Sequence, residues 1–392
     1  MALASLVLVS CTSLPGNHVE LIEAPEVVAL AKREFGYEPK DKIEVAYATD
    51  RERGADGSYS DERGQKIWLG FASLNLDRRR KGGRIDLDEV RESGVLHASE
   101  SGWDLPASSG DVAGEAEFFR HLNRKLAGSR QKDLVIYLSG FRMPFEDPLL
   151  VSGQFSSLAA DRLVFLGYSW PTTPKLTSYF RDLETAEYSS RNLRILLRQL
   201  AAKSDARRIH LFAYSAGTRL AARTLQEINL ETGSESVARQ RYRLGQVALV
   251  SSDMDRQLFG SFLADDLTRA CDHLSVYRSS KDGILGLSGW VFSRGRLGHI
   301  SKDEAFPAHR RQYLKKLSKL DIVDVSDAPS VGGFGGHFYF YKSPWVSSDL
   351  LLSFVSDLSP SQRGLVRADD EFTWRFPGDY AERLERLARR GR

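Results

Sequence analysis

The chain reads as an α/β protein with a mostly parallel central sheet covered by helices on both faces, preceded by an N-terminal β-containing extension. Two observations predict this. Short, uninterrupted apolar runs recur at residues 134–138, 163–168, 209–213, 247–250, 274–277 and 320–325. The stretches between them carry three- and four-residue apolar spacing, as at Phe118, Phe119, Leu122 and Leu126, or across 183–200 and 217–228. A strand buried on both faces has no polar side to show and reads as a continuous apolar run, while the helices that cover it read as amphipathic. In such a sheet ligands collect beyond the carboxyl ends of the strands, so the residues just after each run are where chemistry is expected.

Before the first strand, residues 1–10 are apolar or small and stop at Cys11. Leu8-Val9-Ser10-Cys11 is similar to a bacterial lipoprotein signal, in which the cysteine is acylated and the lipid holds the mature protein on a membrane. The expectation is a cell-envelope protein anchored through Cys11. Because Thr12 follows, it is expected on the outer membrane, facing the periplasm. Residues 1–40 are thus a signal and tether, with a helix at 25–31. No later stretch approaches the roughly 18 apolar residues that a spanning helix needs. The main domain is expected over 41–358. It opens with β-rich runs at 43–48 and 67–74. Residues 77–114, rich in charge, Gly and Ser, are expected as a flexible insertion, and 359–392 as a charged extension with a helix over 381–390.

Composition narrows the partners. The 392 residues include 55 basic and 52 acidic side chains, a net charge of +3, which argues against nucleic acid as the main partner. The basic run at 78–84 lacks interleaved aromatics and reads as a solvated loop. The two cysteines, Cys11 and Cys271, exclude a disulfide scaffold and a Cys-rich zinc site, and Cys271 reads as a small buried thiol. The sequence carries neither a metal-ligand cluster nor a phosphate loop, so no cofactor and no metal are expected.

The strongest chemical signal is Ala213-Tyr214-Ser215-Ala216-Gly217, which follows one apolar run and opens a helix. A sharp strand-to-helix turn exposes a serine hydroxyl at the top of a sheet, and it needs small residues on either side. Ser215 is therefore the expected nucleophile. It needs a base, and the base needs an orienting acid, in the chain order Ser, acid, His. His337, in Gly332-Gly333-Phe334-Gly335-Gly336-His337, is the expected base, with His299 second, while His273 and His309 read as structural. Asp282 is the first choice for the acid, with Asp253 and Asp255 as alternatives one strand earlier. Two preorganised N–H donors would stabilise an oxyanion: that of Ala216, and that of Phe141 in Ser139-Gly140-Phe141. Tyr179, Arg181 and Asp182 either line a substrate pocket or form an intrahelical ion pair.

Taken together these stretches resemble a bacterial α/β-hydrolase family of unknown function. The resemblance runs from about residue 43 to 356. It is carried by Tyr47-Ala48-Thr49-Asp50-Arg51, Leu138-Ser139-Gly140-Phe141, Tyr168-Ser169-Trp170-Pro171 and Tyr179-Phe180-Arg181-Asp182. Further on it is carried by the Ser215 turn, Ser252-Asp253-Met254-Asp255, Tyr277-Arg278-Ser279-Ser280-Lys281-Asp282 and Gly336-His337-Phe338-Tyr339. It implies an α/β-hydrolase fold with a Ser–Asp–His site and names no substrate. The chain departs from the family's usual pattern at Ser139 and Tyr214, where histidine is more common. The resulting expectation is a serine hydrolase of a small ester-like substrate. A non-catalytic envelope module on the same fold, or an acyltransferase, is the alternative.

Overall fold

The structure is a computed structural model that describes residues 40–77, 84–96, 108–173, 175, 178–286, 295–299, 307–332, 334–355 and 358–390. The expected signal, Cys11 and the helix at 25–31 lie outside the described residues. Each apolar run becomes a strand. β1 (Lys42–Arg53), β2 (Tyr59–Asp77) and β3 (Arg84–Val95) form an antiparallel meander. They are followed by β4 (Asp133–Leu138), β5 (Leu163–Ser169), β6 (Ile209–Tyr214), β7 (Leu244–Val250), β8 (His273–Arg278) and β9 (Leu320–Asp324). Two short strands, β10 (Val366–Arg367) and β11 (Thr373–Arg375), come last. Among the described residues they make one sheet in the order β10-β11-β9-β8-β7-β6-β4-β5-β1-β2-β3. From β1 through β11 the neighbouring pairs are parallel, and only the outer strands β2, β3 and β10 pair antiparallel.

Two sequence expectations are corrected. The stretch 77–114 was expected as a flexible insertion, but it supplies the edge strand β3 and the start of α1 (Ser109–Gly128), whose Ser108 and Asp111 form a capping box. Its charged, weakly alternating sequence hid a strand that pairs on one side only. The helix expected over 381–390 is present, but the main domain does not stop at 358. β11 extends the parallel sheet beside β9 before the chain ends in α10 (Tyr380–Arg390).

Side chains alternate along each central strand and feed two separate cores. Leu134, Ile136 and Leu138 of β4 face α1 together with α3 (Tyr179–Lys203), α4 (Gly217–Thr232), α5 (Glu235–Tyr242) and α6 (Arg256–Ala264). Val135 and Tyr137 face the other way, toward α2 (Asp147–Leu158), α9 (Pro344–Val355) and α10. α7 (Ala308–Lys316) and the single turn α8 (Tyr339–Lys342) complete the helices named here.

This topology positions the site in two ways. The parallel register aligns strand ends: Leu138 pairs with Tyr168 and Ala213, Tyr214 with Val250, and Val250 with Tyr277. Residues 139, 169, 215 and 251 consequently emerge along one edge. The strand order also reverses at β4, because β5 lies on one side of it and β6 on the other. Such a reversal opens a crevice at the carboxyl edge, where open α/β sheets bind ligands.

Candidate active site

Ser215 extends β6 by one hydrogen bond and then leaves it. Its N–H donates to the Val250 carbonyl at 3.0 Å, and at φ 49° the chain turns into α4. A left-handed backbone on a non-glycine residue costs about 1–2 kcal/mol, and here the turn is held on both sides. The Thr218 N–H and hydroxyl both donate to the Ser215 carbonyl, at 3.0 and 2.6 Å. Gly217 is needed because a Cβ there would collide with the Ser139 carbonyl and lie 2.7 Å from that of Leu138. The small-residue pattern around Ser215 is thus a consequence of packing a helix start against the end of β4.

His337 sits in the 3₁₀ turn Phe334–Phe338, on the segment that leads from β9 to α9. Its Nε2 lies 2.9 Å from Ser215 Oγ and its Nδ1 2.8 Å from Asp282 Oδ2. Asp282 follows β8 and is fully buried, and its other oxygen accepts the Leu285 N–H at 3.0 Å. A carboxylate against Nδ1 favours the tautomer that carries its proton there, which leaves the Nε2 lone pair facing the serine hydroxyl. Ser215 keeps 7% of its surface exposed and His337 2%, so the line of three runs from the edge of the crevice into the interior.

The other sequence candidates are placed elsewhere. Asp253 is gripped by Arg219 at 3.2 Å and Arg296 at 3.5 Å, and Asp255 caps α6 by accepting the N–H groups of Gln257 and Leu258. Both ring nitrogens of His337 are taken by Asp282 and Ser215, so neither alternative acid serves it. The His299 ring lies against Gly286, and His273 pairs with Asp321 at 2.6 Å. His309 is an exposed residue of α7. Arg181 reaches Glu62 at 2.8 Å and Asp182 accepts from Thr173, so the expected intrahelical ion pair is replaced by two contacts to other segments. The side chain of Tyr179 lies outside the described residues. Cys271 is buried as expected, and burial pushes its thiol up to about 12.

The 139–141 turn stands beside the serine. A Cβ on Gly140 would come within 3.1 Å of Ser215 Cβ and of the Tyr214 ring. Phe141 follows it directly and is buried. The amides of Phe141 and Ala216 therefore belong to the two segments that flank Ser215.

Sequence reasoning missed two residues that seat His337. Ser251, itself left-handed at φ 48°, donates its hydroxyl to the His337 carbonyl at 2.8 Å. The Tyr339 hydroxyl accepts the Ser251 N–H and donates to the Tyr277 carbonyl, both at 2.8 Å. Together they tie the histidine turn to the ends of β7 and β8. The available signal was a serine directly after an apolar strand, the position that Ser215 also holds after the neighbouring run.

Among the described residues no group of His, Cys, Asp and Glu is arranged to hold a metal, and no helix is long and apolar enough to cross a membrane. No curated protein matches the sequence. A family model described as alpha/beta hydrolase of unknown function (DUF900) matches residues 114–353. That span covers more than half of the chain and contains Ser215, Asp282 and His337, but begins after the Tyr47-Ala48-Thr49-Asp50-Arg51 stretch. With its fold and with this match, the chain belongs to the α/β-hydrolase family DUF900.

Proposed function

We propose that the protein is a serine hydrolase that cleaves an ester-like acyl bond, with Ser215 as nucleophile, His337 as base and Asp282 as the residue that orients the imidazole. The observation that carries this is the continuous hydrogen-bonded line from Ser215 Oγ through both nitrogens of His337 to a carboxylate with no exposure to water. In this reading His337 Nε2 takes the hydroxyl proton as Ser215 attacks the carbonyl carbon. The N–H groups of Ala216 and Phe141 then receive the negative oxygen of the tetrahedral intermediate. The imidazolium returns its proton to the leaving alcohol, and a water activated in the same way releases the acyl group. An ester is favoured over an amide because no protease specificity pocket is recognisable in the sequence.

The test is labelling with a fluorophosphonate followed by peptide mapping, paired with turnover of short-chain aryl esters. Modification is expected at Ser215, and Ser215→Ala should abolish labelling and lower kcat on the order of 10⁶-fold. Labelling at another serine, or hydrolysis that survives the substitution, overturns the assignment.

We further propose that the mature chain is held on the cell envelope by lipid on Cys11. The support is the Leu8-Val9-Ser10-Cys11 pattern. Full-length protein should fractionate with membranes, and Cys11→Ser should release it. A variant that stays membrane-bound overturns the anchor.

A further inference from the structure

Three stretches that carry the family resemblance hold no part of the Ser–His–Asp line, yet they meet at one place. Arg51, at the end of β1, is 1% exposed. Its Nε donates to Ser169 Oγ at 3.0 Å, and its Nη1 reaches the Ser60 carbonyl at 3.1 Å and the carboxylate of Asp61 at 3.4 Å. Its Nη2 donates to the Met143 carbonyl at 2.7 Å. Thr172 grips the same residue beside Arg51, whose Nη1 and Nη2 also reach the Thr172 carbonyl and hydroxyl oxygens, both at 3.4 Å. Its hydroxyl accepts the Met143 N–H at 3.0 Å and donates to the Met143 carbonyl at 2.7 Å. Thr172 is held in turn through its neighbour, because Asp182 of α3 accepts both the N–H and the hydroxyl of Thr173, at 3.0 and 3.2 Å. Two residues earlier, the Trp170 indole N–H donates to the Ser139 carbonyl at 2.9 Å.

The 139–143 segment is thereby fastened at both ends, at Ser139 and at Met143, with Phe141 midway between. The fastening is needed because Arg142 has φ 61°. A non-glycine residue persists in that conformation only where its surroundings over-determine it. The clamp also explains the choice of side chain at 51. A planar guanidinium spreads its donors over three nitrogens and so reaches Ser169, Ser60 and Met143 together, which the single nitrogen of a lysine cannot do.

We infer that Arg51, Thr172 and Asp182 are positioning residues that hold the 139–143 segment so that the Phe141 N–H points where negative charge develops beside Ser215. This rests on the hydrolase reading above, and none of the three touches the reacting atoms. A donor that has drifted still permits substrate to bind but serves the transition state poorly, so the effect falls on kcat and not on KM.

The experiment uses the full chain with Thr172→Val, which keeps the shape and removes the hydroxyl, and Thr172→Ser, which restores it. Three experiments are run: steady-state kinetics for kcat and KM on one aryl ester per phosphonate-titrated Ser215, hydrogen–deuterium exchange of the 139–147 peptide, and a thermal melt. Thr172→Val is expected to lower kcat by roughly 10- to 100-fold, below the loss for deleting a donor outright. KM should stay within about threefold of wild type, exchange in 139–147 should rise, and Thr172→Ser should recover both kcat and protection. Unchanged exchange in a folded Thr172→Val protein overturns the clamp. Raised exchange with unchanged kcat, or a loss confined to KM, overturns its role in turnover. If wild-type Ser215 neither labels nor turns over ester, the hydrolase reading fails and removes the catalytic half of this inference, while the exchange data still decide the clamp itself.

Discussion

His337 and His210 occupy opposite ends of the same sheet, and each is buried against a buried aspartate. At the carboxyl edge His337 presents Nδ1 to Asp282 and Nε2 to Ser215. At the other edge His210, in β6, turns Nε2 toward Asp133 at 3.4 Å, and its Nδ1 accepts the Gln246 N–H at 2.9 Å. An imidazole that accepts at Nδ1 must carry its proton on Nε2 when neutral, so no lone pair of His210 remains for a hydroxyl. Burial holds the His210 ring below the usual histidine range despite the Asp133 carboxylate. Asp133 itself also takes hydrogen bonds from Arg207 and Arg208. Burial opposes its charge, but the bonds from His210 and Arg207 and the nearby Arg208 outweigh that and keep its carboxyl well below the usual range. The two pairs share residue types and burial. They differ in whether a ring nitrogen is spent on the backbone, as His210 Nδ1 is, and in whether a strained serine stands on the other side, as Ser215 does for His337.

The comparison is broken most sharply by the matched pair Asp282→Asn and Asp133→Asn. The first should lower kcat on one ester on the order of 10⁴-fold with the fold intact, a magnitude taken from the serine-protease case in which the wrong imidazole tautomer is favoured. The second should leave kcat per titrated site within about twofold but cost about 2 kcal/mol of stability, because it removes the buried charge to which His210, Arg208 and the half-exposed Arg207 donate. Urea melts and steady-state kinetics on both variants separate the two roles. A catalytic collapse in Asp133→Asn, or a near-normal Asp282→Asn, would erase the distinction.

A third buried carboxylate sharpens the comparison from the opposite side. Asp147, at the start of α2, has one oxygen with no hydrogen-bond partner, and burial pushes its carboxyl up to about 8, with Glu146 adding to the rise and Arg51 opposing it. In the unfolded chain the same group titrates near 3.9. Between those values the native protein binds the extra proton, so this group's contribution to stability is present below about pH 4 and is lost as pH rises through 8. Asp147→Asn removes that loss. Its melting temperature minus that of wild type should therefore rise as pH is raised from 5 to 9, and a difference that stays constant or falls would show that Asp147 is not buried as a neutral acid.

Much of the site was legible because its parts are local. The apolar run before Ser215, the helical period after it and Gly217 between them all act within a few residues, and the backbone turn they encode is the one observed. Choosing Asp282 over Asp253 and Asp255 rested on counting strands, and that order matches the sheet. Where local pattern was weak, the reading failed. β3 is a charged edge strand, and β10 and β11 span two and three residues, too few for alternation to register. The clamp on Met143 was also hidden, since Arg51 and Thr172 lie 92 and 29 residues from it and nothing in either neighbourhood names the partner.

The sequence by itself therefore determined the class of fold, the strand-to-helix turn that exposes a serine and the supply of histidines and carboxylates. These follow from side-chain periodicity and steric limits that act along the chain. Only the tertiary structure decided which histidine keeps a lone pair for that serine, which aspartate stands behind it and which arginine holds the facing loop. Those outcomes depend on strand register and on hydrogen bonds made across 55 and 122 residues at the site, where burial makes a missing partner costly and so leaves one arrangement favoured.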